Sequence, residues 1–406
     1  MRRIAVLTSS RAEYGLLRFV LRRLLDEPDV DLQLVVTGTH LASEHGETWR
    51  EIEADGIPIA ARIEMGLEGD RPDYLASALG RLSAGLGEFF ARSRPELLVL
   101  LGDRFELLAA AQAALVAGVP IAHIHGGEIT EGAFDDAVRH AVTKLSHLHL
   151  VATEEFAHRV RQMGEEPWRV HVVGALGVDA VRELPVIPRE ELSASLGFDL
   201  GHAFALVTYH PETLSTQSAR LQIDELLTAL DAHADLNVVI TGPNTDPGGS
   251  DMRERIREWV SGQPDRCLFV ASLGQHRYLS AMRHAAVVVG NSSSGIIEAP
   301  TAGTPTVNIG RRQAGRPRAA SVFDCEARAA TITAAVVAAC RLNVSEAMSA
   351  VVNPYGRHGA AAAAVTQVLR ADHPRLIHKR FIDVAPIGRD ATAAEPGQPS
   401  VLRNSP

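Results

Sequence analysis

Few cysteines and no long apolar run occur in this sequence, and both absences narrow the classes of protein that it can represent. Its only cysteines are Cys267, Cys325 and Cys340, and none of them lies in a CxxC pair. Such cysteines support neither a disulfide framework nor a zinc site, and they suit a reducing cytosol. No apolar stretch reaches the roughly 18 residues that a membrane-spanning helix needs. We therefore predict a cytoplasmic protein that does not cross a membrane.

Common nucleotide-binding motifs are missing as well. The sequence contains no GxxxxGK[ST], which excludes a P-loop, and no GxGxxG follows its first apolar run, which weakens a dinucleotide oxidoreductase. Histidines and cysteines form no cluster with metal-ligand spacing, so we expect no metal and no cofactor. The net charge is −9 and no dense Lys/Arg block occurs, which argues against nucleic acid or an anionic membrane as a partner.

Short apolar runs that alternate with helical patterns are the main feature that is present. Strand–helix alternation predicts parallel sheets with helices on both faces. The runs that predict strands are Ile4–Leu7, Leu32–Val36, Leu97–Leu101, Val119–Ile124, Leu148–Val151, Val170–Val173, Phe204–Val207, Val238–Ile240, Cys267–Val270, Ala286–Val289 and Thr306–Ile309. Helices are predicted at Tyr14–Leu25, Tyr74–Ala91, Phe105–Ala117, Arg220–His233, Asp251–Val260, Tyr278–His284 and Ile296–Ala302.

The pattern restarts after a short linker, Glu183–Pro188, where two prolines discourage both helix and sheet. We therefore predict an α/β fold with two doubly wound Rossmann-like domains that face each other across a cleft. The first domain covers residues 1–182 and the second covers residues 189–383, with a terminal helix near 359–370. Residues 384–406 are rich in Pro, Gly and Ala, which predicts a disordered tail.

Ionisable residues follow the predicted strand Val119–Ile124 in unusual number. His125, Glu128 and Asp135 come after it, around a Gly-Gly turn, and Arg139 lies on the helix beyond. Open α/β sheets build their sites in loops at the carboxyl ends of parallel strands. Core packing does not explain these charges, so we predict a catalytic or ligand-binding role. The alternative is a solvated turn with satisfied caps.

Four other strand ends carry candidate binding or catalytic groups. The GNSSSG loop, Gly290–Gly295, offers small residues and hydroxyls to an anion, although a serine N-cap without a ligand would look the same. Its candidates are Ser292 and Ser293, with Glu298 one turn later as a partner for a ribose diol. The other loops supply Arg11 in SSRAEYG, Asp103 and Arg104 in GDRFE, and His210 in VTYHPET. Together they suggest a phosphorylated ligand on one domain and proton-transfer groups on the other.

Ordered sequence blocks resemble those of a known family from Met1 to about Asp383. These blocks are TSSRAEYG, VTGTHL, LGDRFE, HGGE, DDAVRHAVTKLSH, TYHPET, GPNTDPG, SLGQHRYL, GNSSSGIIEAP, GTPTVNIGRRQAGR and NPYGRHG. The sequence resembles the hydrolysing UDP-N-acetylglucosamine 2-epimerases of sialic-acid-type sugar pathways. The resemblance implies a glycosyltransferase-B-type fold, a nucleotide-sugar substrate and a homo-oligomer. It also implies loss of the C2 proton and of UDP to give a 2-acetamidoglucal, followed by addition of water.

The resemblance also implies roles for individual residues. The family's catalytic acids fall on Asp103 and Asp135, and its histidine falls on His210. The remaining implied positions are the cleft arginines Arg11, Arg104 and Arg139 and the nucleotide contacts Asn244, Ser272 to Gln275, Ser292, Ser293 and Glu298, with Arg316 a weaker candidate for the phosphates.

One position departs from the pattern. In members acting on UDP-N-acetylglucosamine the strand before the Gly-Gly turn ends in a catalytic glutamate, whereas this sequence has His125 there, in IHGGE. Imidazole is competent as an acid or a base near neutral pH. The substitution leaves open a second substrate, a nucleotide-linked 2,4-diacetamido-2,4,6-trideoxyhexose of legionaminic acid synthesis. A non-hydrolysing epimerase, a glycosyltransferase and a nucleotide-sugar sensor are the remaining alternatives.

Overall fold

The protein folds into two parallel β-sheets, each covered by helices on both faces. A computed structural model describes residues 1–43, 46–67, 71–130, 134–212, 217–243, 248–343, 346–356 and 360–383. Asn244 and the tail 384–406, both subjects of predictions, lie outside the described residues. The first sheet has seven strands in the order β3-β2-β1-β4-β5-β6-β7, and the second has six in the order β10-β9-β8-β11-β12-β13, as bounded in the next paragraph.

The elements of the first domain and its exit are β1 Arg2–Thr8, α1 Arg11–Asp26, β2 Val30–Thr37, α2 Trp49–Ala54, β3 Ile59–Ile63, α3 Pro72–Ser93, β4 Leu97–Leu101, α4 Glu106–Ala117, β5 Ile121–Ile124, α5 Asp135–Leu145, β6 Leu148–Val151, α6 Glu154–Gln162, β7 Val170–Val172 and α7 Leu176–Glu183. Those that follow are α8 Arg189–Leu196, β8 Phe204–Thr208, α9 Ala219–Asp231, β9 Asn237–Thr241, α10 Gly249–Ser261, β10 Cys267–Val270, α11 Gly274–His284, β11 Val287–Gly290, α12 Ser293–Ile297, α13 Ala299–Ala302, β12 Thr306–Ile309, β13 Val322–Cys325, α14 Ala329–Asn343 and α15 Ala361–Arg370. Short 3-10 turns lie at Gly38–His40, Pro167–Arg169, Glu346–Ala350 and Pro354–Gly356.

Strand order reverses once in each sheet, and these reversals position the cleft. In the first sheet the chain leaves β1 on one side through β2 and returns on the other through β4. The second sheet repeats this at β8, which lies between β9 and β11. In open α/β sheets a crevice forms outside the carboxyl ends of the strands at such a reversal. The fold thus brings the loops after β1, β4, β8 and β11 to one cleft.

Apolar runs predicted the central strands well because helices cover those strands on both faces. All five residues of β4 are buried, and a strand buried on both sides reads as a continuous apolar run. Two edge strands were not predicted, β3 and β13. Their sequences, IAARI and VFDC, include exposed positions because each strand has a neighbour on one side only.

Residues 360–383, which were predicted as part of the second domain, contact elements of the first domain. Helix α15 packs on α1 and α7. Its first two backbone amides donate to the buried Asp179 carboxylate of α7 at 3.0 and 2.6 Å. Farther along, Arg169 donates to the carbonyls of Leu376 and His378 at 2.8 and 2.7 Å. The chain therefore crosses between the domains twice.

Candidate active site

Two adjoining cavities open along the cleft between the sheets. One, of about 260 Å³, is lined by the acidic loops of the first domain, including Asp103, Glu128 and Asp135. The other, of about 570 Å³, extends along the second domain beside His210. Ser10, Ala12, Leu16, Arg104, Gly177, Ser293 and Glu298 line both. Cavities of these sizes suit a small organic ligand, and their shared walls let one ligand occupy both.

Asp103 lines the acidic cavity and is paired with an arginine of the same domain. It follows β4, and its carboxylate pairs with the guanidinium of Arg139 on α5. The Arg139 side chain is 3% exposed and also donates to Thr130 Oγ1 at 2.9 Å, whereas the Asp103 side chain keeps 26% exposure. Arg139 therefore fixes a carboxylate that remains open to a ligand.

His125 occupies a left-handed backbone conformation directly after β5, with φ of 65°. Histidine adopts this region more readily than most residues, and such outliers gather at functional sites. Its Nε2 accepts from the Leu176 amide at 3.4 Å, and its Nδ1 lies 3.0 Å from Glu128 Oε1. The contact with Leu176 uses the lone pair of Nε2, and in that tautomer the ring proton lies on Nδ1.

The Gly-Gly turn after His125 allows this close packing. A β-carbon at Gly127 would lie 2.6 Å from the Phe156 carbonyl oxygen, and φ there is 74°. Glycine is therefore required if the turn is to lie against α6.

Glu128 is a buried carboxylate with a partner from the other domain. Its side chain is 2% exposed, and Oε2 lies 2.9 Å from Nη2 of Arg316. Burial alone would raise the pKa of Glu128, but Arg316 and then His125 outweigh burial and lower it to about 2. Arg316 therefore helps to hold Glu128 as an anion, and Glu128 lines the acidic cavity together with Asp103 and Asp135.

Arg104 lies between two buried glutamates that the sequence analysis did not identify. Its Nη2 donates to Glu106 Oε1 at 2.8 Å. Burial alone would lower the pKa of Arg104, but Glu106 and Glu13 together raise it above its usual value. Burial raises the pKa of Glu13 to about 7. The sequence did contain a pattern that points to Glu13, because Ser10 and Glu13 form a capping box at the start of α1.

The GNSSSG loop of the second domain is tied to the histidine loop by a side-chain amide. Asn291 accepts from the His210 amide and donates to the His210 carbonyl, both at 2.8 Å. Burial lowers the pKa of His210 to about 3, and Arg312 lowers it further, so the imidazole is neutral near pH 7. Hydroxyls of Thr208, Tyr278 and Ser294 continue the polar wall, with Tyr278 and Ser294 2.7 Å apart.

Glu298 lies where the two cavities meet. Its Oε1 approaches α7 so closely that a β-carbon at Gly177 would overlap it, and its Oε2 has no hydrogen-bond partner among the described residues. Burial raises the pKa of Glu298 to about 7, although His125 acts in the opposite direction. The oxygen without a partner gives the cleft an acceptor suited to a ligand hydroxyl.

A family model described as UDP-N-acetylglucosamine 2-epimerase matches residues 22–370. The chain belongs to this epimerase family. It is 38% identical to "UDP-N,N'-diacetylbacillosamine 2-epimerase (hydrolyzing)" of Legionella pneumophila, with 80% of this chain and 85% of that protein covered. It is 35% identical to "Polysialic acid biosynthesis protein P7" of Escherichia coli, with 90% and 93% covered.

The epimerase also shares its two-domain glycosyltransferase-B-type fold with solved members of the family. One is the UDP-GlcNAc 2-epimerase of Neisseria meningitidis bound to UDP-GlcNAc. The TM-score is 0.74 at 16% identity, with 91% of this chain and all of that chain covered. At that identity the likeness concerns the fold.

Contacts between the two domains involve Arg11, Ser272 and Gln275 of the epimerase. Arg11 pairs with Glu51 at 2.8 Å and donates to Ser272 Oγ at 3.4 Å, and Gln275 donates to the Gly15 carbonyl at 2.7 Å. All three line the larger cavity, as do Ser292 and Ser293. Arg11 is therefore both a wall of the cavity and an ion-pair partner.

Neither a metal-binding cluster nor a membrane-spanning helix is found in the described parts of the epimerase. No group of three or more His, Cys, Asp or Glu side chains is arranged to hold a metal ion there. Among those same residues, no helix is long and apolar enough to cross a membrane.

Proposed function

We propose that this epimerase is a hydrolysing enzyme that converts UDP-N-acetylglucosamine to N-acetylmannosamine and UDP. The single observation that carries the proposal is one cleft in which Asp103 and Asp135 face Ser293 and Glu298. Proton transfer needs carboxyl groups such as those of Asp103 and Asp135. A nucleotide diphosphate needs hydrogen-bond donors such as the hydroxyls of the GNSSSG loop. A nucleotide sugar laid along the cleft would meet both.

In the first step a carboxylate, Asp103 or Asp135, takes the C2 proton of the bound sugar. The electron pair of that C–H bond forms the C1=C2 double bond, and the C1–O bond breaks to release UDP. Arg104 favours this step because it remains a cation beside Glu106 and Glu13 and so offsets the negative charge of the leaving group.

In the second step water adds across the double bond of the 2-acetamidoglucal. The hydroxyl forms a bond to C1, and a proton returns to C2 on the opposite face, which inverts that carbon. Donating this proton requires a carboxyl or imidazole that can exist in both protonation states. Glu128 does not suit that role, because its pKa of about 2 keeps it ionised near neutral pH. We assign Glu128 to orienting His125, and Asp103, Asp135 or His125 to the proton transfers.

In the nucleotide half, we assign Ser292 and Ser293 to the diphosphate and Glu298 to the ribose diol. This assignment rests on the Oε2 of Glu298, which has no partner among the described residues. The family resemblance extends the assignment to Asn244 and the loop from Ser272 to Gln275. Arg316 is less suited to the phosphates, because its guanidinium pairs with Glu128.

A proton NMR time course with UDP-N-acetylglucosamine in D₂O tests the reaction. We expect free UDP and free N-acetylmannosamine, with deuterium at C2 because the proton that returns exchanges with solvent. Conversion to UDP-N-acetylmannosamine without free UDP would instead identify a non-hydrolysing epimerase. An unchanged nucleotide sugar would contradict the proposal for this substrate.

A second substrate is favoured by one comparison and one residue. The Legionella pneumophila relative, at 38% identity, is named for UDP-N,N'-diacetylbacillosamine, and His125 replaces the expected glutamate. That sugar has no 6-hydroxyl and carries a second acetamido group. The same NMR experiment with this nucleotide sugar, at matched concentration, compares the two by their kcat/KM.

A further inference from the structure

Arg316 reaches from the second domain into the acidic loop of the first. Its Nε donates to the Ile129 carbonyl at 3.0 Å, and its Nη2 lies 2.9 Å from Glu128 Oε2 and 3.4 Å from Thr130 Oγ1. Arg316 is 7% exposed and Glu128 is 2% exposed. A single guanidinium thus satisfies a backbone carbonyl and a carboxylate that belong to the opposite domain.

We propose that Arg316 is a positioning residue that couples closure of the two domains to the charge of the acidic cluster. With the domains together, it supplies the cation that keeps Glu128 ionised and oriented toward His125. When the domains separate, Glu128 loses that cation. This inference rests on the proposed function for its catalytic consequence, although the ion pair itself does not.

The charges around Glu128 show why Arg316 decides its state. The groups that face it are His125 from its own loop, Arg139 from α5, Glu298 from α12 and α13, Tyr355 near the chain's return, and Arg316. Glu298 is acidic, Tyr355 is neutral at ordinary pH, and His125 already gives a lone pair to Leu176. Arg316 is the largest influence that opposes burial. Without it, only His125 and Arg139 would oppose burial and Glu298, so we expect the pKa of Glu128 to rise.

Protonation of Glu128 would disturb His125 in turn. A Glu128 carboxylate 3.0 Å from Nδ1 favours the tautomer with the proton on Nδ1, which leaves Nε2 free to accept from Leu176. A carboxylic acid has its own proton to donate, and it competes with this arrangement. Closure would therefore set the tautomer of the imidazole as well as the shape of the cavity.

The test compares Arg316→Gln and Arg316→Lys with Arg318→Gln as the matched control. Arg318 lies in the same loop, pairs with Asp324 at 2.8 Å and donates to the Arg316 carbonyl at 2.8 Å, so its loss disturbs the loop while the Arg316 guanidinium still pairs with Glu128. We expect kcat/KM of Arg316→Gln at pH 5, relative to pH 8, to fall at least about ten-fold below wild type. Arg316→Lys keeps a cation and should restore part of that ratio. Arg318→Gln should leave the ratio unchanged.

UDP affinity, measured by calorimetry, separates this role from phosphate binding. We expect Arg316→Gln to bind UDP within about three-fold of wild type, because a lost charged hydrogen bond to phosphate would weaken binding about ten-fold or more. A ten-fold weaker affinity with an unchanged pH ratio would overturn the proposal and make Arg316 a phosphate ligand. If Arg316→Gln does not fold, the same two measurements on Arg316→Lys decide.

Thermal unfolding tests the ion pair without reference to the reaction. The pKa of Glu128 is lowered in the fold, so the stability it contributes is complete above its unfolded pKa and is lost as pH falls toward about 2. The difference in Tm between wild type and Arg316→Gln should therefore narrow as the pH is lowered from neutral, beginning where Glu128 of the variant takes up its proton. A difference that is independent of pH would contradict the coupling. If neither nucleotide sugar is hydrolysed, the proposed function is wrong. The pH dependence of the Tm difference still tests the ion pair between Arg316 and Glu128 in that case.

Discussion

Replacing Asp103 by asparagine tests the acidic cavity most directly, because it removes one charge and almost no volume. Asp103 lines the cavity and pairs with the buried Arg139. If it transfers a proton, turnover should fall by about 10²–10⁴-fold. UDP affinity should stay within about two-fold, because the proposed nucleotide contacts lie on the second domain.

The structure also predicts a cost in stability. Asparagine keeps a carbonyl acceptor for Arg139 but loses the charge, and a hydrogen bond to a charged group contributes roughly 1.5–3 kcal/mol. For a domain of this size we expect Tm to fall by roughly 3–12 °C. Assays should therefore be run well below the Tm of the variant, so that unfolding does not cause the loss of turnover.

Asp136→Asn is the matched control. Asp136 also faces Arg139, at 3.8 Å, and its Oδ1 accepts from the Thr130 amide at 2.8 Å, but it does not line the cavity. We expect this variant to lose stability while turnover stays within a few-fold of wild type. Near-normal turnover of Asp103→Asn in a coupled assay for UDP release would refute the reasoning and remove Asp103 from the mechanism.

Three further outcomes can be measured on the same protein. Ser293→Ala and Glu298→Ala should each weaken UDP binding about ten-fold, by the loss of a hydrogen bond to a charged group, and unchanged affinity by calorimetry in both would show that the nucleotide lies elsewhere. His125→Glu should raise kcat/KM for UDP-N-acetylglucosamine relative to the 2,4-diacetamido sugar, and an unchanged ratio would mean that this position does not select the sugar. Activity should survive EDTA, because arginines and the serine loop can neutralise the diphosphate, and abolition by chelator with rescue by magnesium would disprove this.

The sequence predicted the architecture of the cleft because parallel sheets follow a local rule. Loops after central parallel strands lie at the same edge of a sheet, and Asp103, His125, His210 and Ser293, which were predicted from such positions, line the two adjoining cavities. Hydrophobic periodicity indicates which face of an element is buried and where a strand ends, because both depend on a short stretch of neighbouring residues.

The pairs within the cleft were not predictable in the same way. Glu128 and Arg316 lie 188 positions apart, and nothing in the local pattern of either residue points to the other. Both residues were therefore predicted as ligand groups, whereas one nitrogen of Arg316 and one oxygen of Glu128 pair with each other. Glu106 was missed for a related reason, since an acidic residue in the first turn of a helix is ordinary until Arg104 lies against it.

The double crossing of the chain has a consequence for biosynthesis. Helix α15 and the segment Leu376–Ile382 cover α1, α7 and the end of α5, where Lys379 donates to the carbonyls of Lys144 and Ser146 at 2.6 and 2.7 Å. Domains usually fold in the order in which they leave the ribosome. Here the first domain is translated first but lacks part of its covering until residue 382 emerges. The second domain can complete its own core earlier, so the half of the protein made first is the half finished last.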